Sequence, residues 1–319
     1  MKRFPSPSDP SRLLEVGPAV DCHQHLWPQA LVEALRTRSR GPRLSGWTLH
    51  LDGEPTYEVD PAAHDLTARR AVDVADDVDL ALLSLSSPLG IETLAPDDAQ
   101  PLLDAWHSLA DDLQRGDVEG YGVWAAASVV EPDLEGLATL LRHPRVHGLQ
   151  VPATALATPA ALERLAPVLA VVEAADLPVL VHPGPAAPTD GDVPSWWPAL
   201  TSYTAQLTAA WFAWHVAGRR LLPTLRIAFV GLAGLAPLHH ERLAQRGGHL
   251  GAIDQLVHYE TSSYGTRAID AVVRVVGIDP VVHGSDRPYA APTDPGLGDA
   301  FSRALFVTNP AHLLNGAPR

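Results

Sequence analysis

The sequence predicts an α/β protein built as one (β/α)8 TIM barrel, on three observations. Short apolar, β-favouring runs alternate eight times with longer amphipathic runs rich in Ala, Leu, Glu and Arg. The strand runs are nearly continuous in apolar character, as expected of parallel strands covered by helices. No glycine-rich phosphate loop follows the first strand, which counts against the rival doubly wound open sheet. The chain has 319 residues, 46% hydrophobic and 19% charged, enough for one sizeable core. Residues 1–18, rich in Pro and Ser, are expected to form an N-terminal arm, with the barrel spanning 19–319.

The expected strands are 19–25, 78–86, 120–130, 146–151, 179–182, 226–230, 256–261 and 281–284. The helices between them are expected at 67–77, 98–115, 133–141, 159–175, 199–221, 236–245, 266–276 and 298–306. Proline and glycine punctuate several boundaries, as in ADLPVL before the fifth strand and VVGIDPVV before the eighth. Two connections, 27–64 and 183–197, are too long for ordinary βα loops. Both start at the C-terminal ends of strands, the barrel face where active sites sit, and are expected to act as lids. Their tryptophans, Trp27, Trp47, Trp196 and Trp197, either wall a pocket or simply cover the barrel mouth.

The net charge of −14 and the lack of any basic cluster argue against nucleic acid and anionic membranes as partners. A single cysteine, Cys22, rules out an internal disulfide, and its place on the strand suits a buried thiol. No stretch has signal-peptide character or could span a bilayer, so a cytoplasmic protein is expected. Apolar outer helices on a barrel make a homodimer the expected assembly, with a small molecule as substrate.

The chemistry concentrates in three strand ends. In AVDCHQHLWP, alternation puts Asp21, His23 and His25 on one face. A lone His-x-His pair is a weak signal, because such pairs are common by chance. It gains weight from His182 at the tip of the fifth strand and Asp286 just past the eighth. His25 and His182 lie 157 residues apart, and His182 and Asp286 lie 104 apart, about 39 and 35 per strand–helix unit. A typical barrel has roughly 31 per unit before insertions, and the excess falls in the long loops. Three imidazoles and a carboxylate would therefore meet on one rim. That donor set suits one Zn²⁺, with Mn²⁺ or Fe²⁺ as alternatives. An open coordination position would hold water of lowered pKa, with Asp286 as general base and then acid.

His23-x-His25, the His182 of LVHPG and the Asp286 of GSDRP resemble the strand-one, strand-five and strand-eight signatures of the amidohydrolase superfamily. More narrowly, the chain resembles its amidohydrolase-related branch, which includes aminocarboxymuconate-semialdehyde decarboxylase, related aromatic-acid decarboxylases and several lactonases. The resemblance runs from about residue 20 to residue 314, where LFVTNPAHLL is similar to the closing helix of the branch. It implies one divalent metal, usually zinc, on those four positions and a proton-shuttling role for Asp286. Two departures stand out. The branch usually has a sixth-strand histidine where FVGLAGLAP places Gly231, and the carboxylated lysine of binuclear members is matched by Gln150 in VHGLQVP.

Candidates to replace the missing histidine are His239 and His240, in the helix after the sixth strand, although a helical histidine near solvent is more often a surface residue. Glu260 is costly to bury without a partner, so it is expected either at the substrate site or in an ion pair. Arg287 could hold a substrate carboxylate bidentately or fix the last loop by a salt bridge. Trp27 is a candidate pocket wall, and His283 is expected to face the helices. Three functions follow: a mononuclear metal-dependent hydrolase of a small amide, cyclic amide or lactone as first reading; a non-oxidative decarboxylase of an aromatic or enoic acid; and a catalytically silent metal-binding barrel.

Overall fold

The structure, a computed structural model, describes residues 17–292 and 295–316. All but the last two residues of the expected N-terminal arm lie outside the described residues. Among the described residues, eleven strands follow one another. They are β1 (Val20–His25), β2 (Arg43–Ser45), β3 (Thr48–His50), β4 (Tyr57–Glu58), β5 (Leu80–Ser84), β6 (Tyr121–Ala125), β7 (Val146–Pro152), β8 (Val179–His182), β9 (Ile227–Phe229), β10 (Val257–Glu260) and β11 (Val281–Val282).

Eight of them form one parallel sheet in the order β1-β5-β6-β7-β8-β9-β10-β11, each joined to the next through a crossover that contains helix. These are the eight expected strands, each sharing residues with its predicted run. They are mostly shorter than expected because the chain leaves the sheet at the rim. After Ala125, for example, the Ser128 hydroxyl accepts from the backbone N–H groups of Val130 and Glu131 and turns the chain. The sheet closes at a seam between β1 and the stretch after β11. Cys22 N–H donates to His283 O at 2.9 Å, Asp286 N–H to His23 O at 2.9 Å and His25 N–H to Arg287 O at 2.6 Å. The result is a (β/α)8 barrel.

Strands buried on both faces explain the unbroken apolar runs. Leu82, Leu83, Val123, Leu180, Val181 and Phe229 are fully buried. Large aromatic side chains inside the core keep their polar edges satisfied. Trp106 Nε1 donates to Trp124 O at 3.1 Å, and Trp124 Nε1 donates to Cys22 O at 2.9 Å, tying β6 to β1. Cys22 is a buried free thiol, as its position predicts.

One long connection differs from expectation, and one expected helix is irregular inside its expected span. The 27–64 stretch contains a helix (Gln29–Thr37) and a three-stranded antiparallel sheet, β2-β3-β4, in register Leu44↔Leu49 and Leu49↔Tyr57. The LSGWTL segment is a hairpin whose two-residue turn needs Gly46 at φ +65°. The helix expected at 199–221 is one continuous rod with π-helical turns at Ala199–Tyr203 and Trp214–Gly218. Among the described residues, no helix is long and apolar enough to cross a membrane.

Behind the barrel wall, Glu92 is fully buried, accepts from the Ser87 hydroxyl, and leaves Oε2 without a partner. Burial pushes its carboxyl from the ordinary 4.5 up to about 7, against the opposing pull of the hydrogen bond from Ser87. Between those two values the folded chain keeps a proton that the unfolded chain releases. Stability should therefore fall as pH rises through that window, by at most roughly 3 kcal/mol. In Glu92→Gln this slope should vanish, so the urea midpoint of the variant minus that of wild type should increase from pH 5 to pH 7, whichever is the more stable at pH 5. A gap independent of pH would refute the assignment.

Candidate metal centre

Each ligand position is set by where a strand ends. His23 and His25 lie on β1, and His182 is the last residue of β8. Asp286 follows β11 at φ +57°, a left-handed conformation that Asp tolerates better than most residues. One ligand atom from each of His23, His25, His182 and Asp286 lies within 4.8 Å of the others. His25 Nε2 is 3.2 Å from Asp286 Oδ1, His23 Nε2 is 3.8 Å from the same oxygen, and the two Nε2 atoms are 3.1 Å apart.

The outer ring nitrogens show which atoms face inward as lone pairs. His25 Nδ1 lies 3.0 Å from Ser84 O, and His182 Nδ1 lies 3.0 Å from Pro183 O. Carbonyls only accept, so both Nδ1 atoms carry the proton and both Nε2 atoms are free to bind a cation. His23 Nδ1 faces Glu260 Oε2 at 3.5 Å. Four electron-pair donors converging with no proton to share between them are a fit for one divalent ion.

Electrostatics agree. Burial, with the neighbouring imidazoles, pushes His182 well below its ordinary value. Burial likewise keeps His25 low, so both rings are neutral and suited to coordination. For His23, burial is outweighed by the hydrogen bond and charge of Glu260, which raise it. Asp286 stays an ionised acceptor: burial alone would raise it, but the His25 contact and the three imidazoles together hold it down.

The other expected site residues fall in different places. Trp27 does line the cavity, with Nε1 donating to the Ser86 hydroxyl at 3.2 Å and its ring stacked on His64 at 4.8 Å. Trp47, Trp196 and Trp197 are not among the lining residues. Glu260 does not line the cavity either. It is buried behind His23, accepting from Ser262 N–H (2.6 Å), the Ser262 hydroxyl (2.7 Å) and Gly231 N–H (3.1 Å). This corrects its expected place at the substrate and identifies the partners that make its burial tolerable. Arg287 also turns away from the cavity, its guanidinium paired with Asp76 and with Asp73 at 3.4 Å. It ties the last loop to Asp73 and Asp76 rather than lining the cavity. His239 is exposed, and His240 Nδ1 contacts Pro237 O in its own turn at 3.2 Å, so neither fills the gap left at Gly231. Asp21 lies outside the cluster, accepting from Ser285 N–H and His23 N–H at the seam. His283 packs on Phe306 of the closing helix, as expected.

Arg287→Ala should therefore act on stability. It strips the buried Asp73 of its cation and should cost about 2–3 kcal/mol in urea unfolding, with ligand affinity unchanged. Loss of affinity without loss of stability would return Arg287 to the substrate.

Above the cluster is a cavity of about 440 Å³. Its walls include Leu49, Leu51 and Tyr57 from the β2–β4 excursion, Leu200, Tyr203 and Leu207 from the long rod, and Tyr289 after the seam. Tyr289 packs on His25 with ring centroids 5.2 Å apart. Glu54 accepts from the Tyr203 hydroxyl at 2.6 Å, which joins two walls of the mouth. Burial pushes Glu54 up, opposed by that bond and by the Ala186 N–H. The sequence carries no motif for Glu54, Tyr203 or Tyr289. Gly231 lies in the wall at φ +53°, and the four residues after it are also left-handed, a turn that leaves no side chain where the branch's histidine would sit.

Fold and site together give a (β/α)8 barrel with a cluster of three histidines and an aspartate at its rim that could hold a metal ion. No protein-family model matches the sequence, and no curated protein matches it in sequence. Solved structures do share the fold. IDCase from Metarhizium anisopliae, in apo form, superposes with a TM-score of 0.77 at 18% identity, over 93% of this chain and 97% of that one. The 5-carboxyvanillate decarboxylase of Novosphingobium aromaticivorans, bound to manganese and 4-hydroxy-3-methoxy-5-nitrobenzoic acid, gives 0.68 at 17% identity, over 93% and 96%. An amidohydrolase II structure gives 0.73 at 20% identity, over 93% and 99%. The (β/α)8 barrel of these structures is thus the fold observed here.

Proposed function

We propose that this chain is a metal-dependent, non-oxidative decarboxylase of a small aromatic or enoic acid, within the amidohydrolase-related branch. The observation that carries the proposal is the convergence of His23, His25, His182 and Asp286 at the base of a largely apolar cavity. The first expectation from sequence was hydrolysis. The decarboxylases among the structures that share the fold, one of them holding manganese and a nitrobenzoic acid, move the preference to carbon–carbon cleavage.

His23, His25, His182 and Asp286 would hold the ion, whether Zn²⁺ or Mn²⁺. When bound, it would supply Lewis acidity and a fixed point for the substrate's oxygen atoms. The chain's own part is proton movement and exclusion of water. Asp286, ionised at rest, accepts the proton of a substrate hydroxyl through a carboxylate oxygen. It returns that proton to the carbon that bears the carboxylate, as the bond to that carboxylate breaks and its electron pair forms the new C–H bond. Carbon dioxide leaves, and the ionised product takes up a proton from water on release. Glu260 keeps His23 oriented, and the apolar walls favour the step by disfavouring the charged ground state relative to neutral carbon dioxide.

Purified protein loaded with Mn²⁺ or Zn²⁺ and offered a panel of hydroxybenzoic acids should release carbon dioxide, and a chelator should stop it. Absence of carbon dioxide from every acid, or release indifferent to the chelator, would defeat the proposal. A metal-dependent hydrolase is the second reading, favoured by the amidohydrolase II likeness. Lactone or amide opening without carbon dioxide would select it.

A further inference from the structure

The cavity has an unusual charge inventory for a site that receives an acid. Among the described residues, Glu54 is the one ionisable carboxyl that lines it outside the four candidate ligands. Among the described residues, no arginine or lysine lines it, and the one lysine of the chain is residue 2. The nearby arginines are committed elsewhere: Arg69 donates to His25 O and Ala63 O, and Arg287 pairs with Asp73 and Asp76. The rest of the wall carries no formal charge: Leu49, Leu51, Leu89, Leu200, Leu207 and Val230 are among its apolar part, and its other polar groups are neutral, the hydroxyls of serine, threonine and tyrosine and the indole of Trp27.

Glu54 is fixed in this wall. It lies in the chain leading to β4, and Tyr203, at the end of a π-helical turn, donates to its Oε1 at 2.6 Å. Such turns insert an extra residue into a helix and often mark functional positions. Here the turn brings Leu200, Tyr203 and Thr204 together onto the cavity.

We infer that Glu54 is a specificity-determining residue that restricts the site to monoanionic acids, the single carboxylate being the one presented to the metal ligands. A second anionic group would enter a cavity with no cation to receive it and a carboxylate in its wall. At an effective dielectric constant near 20, two like charges several ångströms apart disfavour binding by roughly tenfold to a hundredfold. A hydroxyl or amine at the same place would instead donate to Glu54. This inference rests on the cavity being the substrate site of the function proposed above.

The test is calorimetric titration of the manganese-loaded, full-length protein with benzoate and with isophthalate, near neutral pH. Benzoate should bind at least about tenfold more tightly. Glu54→Gln keeps an acceptor for Tyr203 and removes the charge, so the ratio should fall to within about threefold. Tyr203→Phe removes the hydrogen bond but keeps the charge: both acids should weaken together with the ratio retained, which a merely structural role for Glu54 would not separate. Equal binding of the two acids to wild type, a ratio unmoved in Glu54→Gln, or no binding of benzoate at all would each overturn the inference. Carbon dioxide is not part of the readout. A protein that releases none but shows the shift in ratio would sink the decarboxylase reading alone.

Discussion

Asn in place of Asp286 is expected to lower turnover by roughly 10²–10⁴-fold while the chain stays folded. The amide has nearly the same shape as the carboxylate and tolerates the same left-handed backbone, here φ +57°. The seam is untouched, because the bond to His23 O comes from the backbone N–H of residue 286. What is lost is an oxygen able to take a proton and give it back. The measurement is turnover at saturating metal ion, alongside circular dichroism and a urea midpoint. Turnover within tenfold of wild type, with an unchanged midpoint, would remove Asp286 from proton transfer.

Glu260→Gln should weaken metal affinity by about 10- to 100-fold without any direct contact to the ion. The carboxylate faces His23 Nδ1 at 3.5 Å and at the same time accepts from Ser262 and Gly231. An amide has one accepting oxygen and a nitrogen that only donates, so one of these partners loses its acceptor. The ring of His23 then loses the anion that orients it and raises the basicity of its inner nitrogen. Competition with a chromophoric chelator reads the affinity directly, independent of any substrate. Affinity equal to wild type would show that Glu260 only braces the seam.

These two residues also illustrate what a sequence can and cannot disclose. Asp286 was legible because it completes a spaced set of strand ends, each marked by an apolar run. Glu260 was legible only as an electrostatic anomaly: burial had to be compensated, yet nothing local said that the compensation was His23 and two backbone N–H groups. The requirement for glycine at position 284 was equally hidden, since a Cβ there would meet Glu260 Oε1 at 1.9 Å, across two strands. All eight barrel strands were readable because strands buried on both faces carry unbroken apolar runs. The β2–β4 excursion was not, although LSGWTL carries alternation around a Gly-first turn. Its strands are two or three residues long, below the length at which periodicity separates a strand from a loop. His239, His240 and Arg287 do not line the cavity for a common reason: proximity in sequence to a rim residue does not determine which way a side chain points.

The seam has a consequence for assembly of the native state. Residues near position 22 and near position 286 meet only when the first and last units of the sheet come together, the contact with the greatest chain separation in the barrel. Entropy makes such a contact the hardest to hold, and an ion held by His23, His25 and Asp286 would act as a rivet across it. Added cation should therefore slow unfolding as well as enable chemistry, and the onset of tight ion capture during refolding should mark the moment the ring is complete.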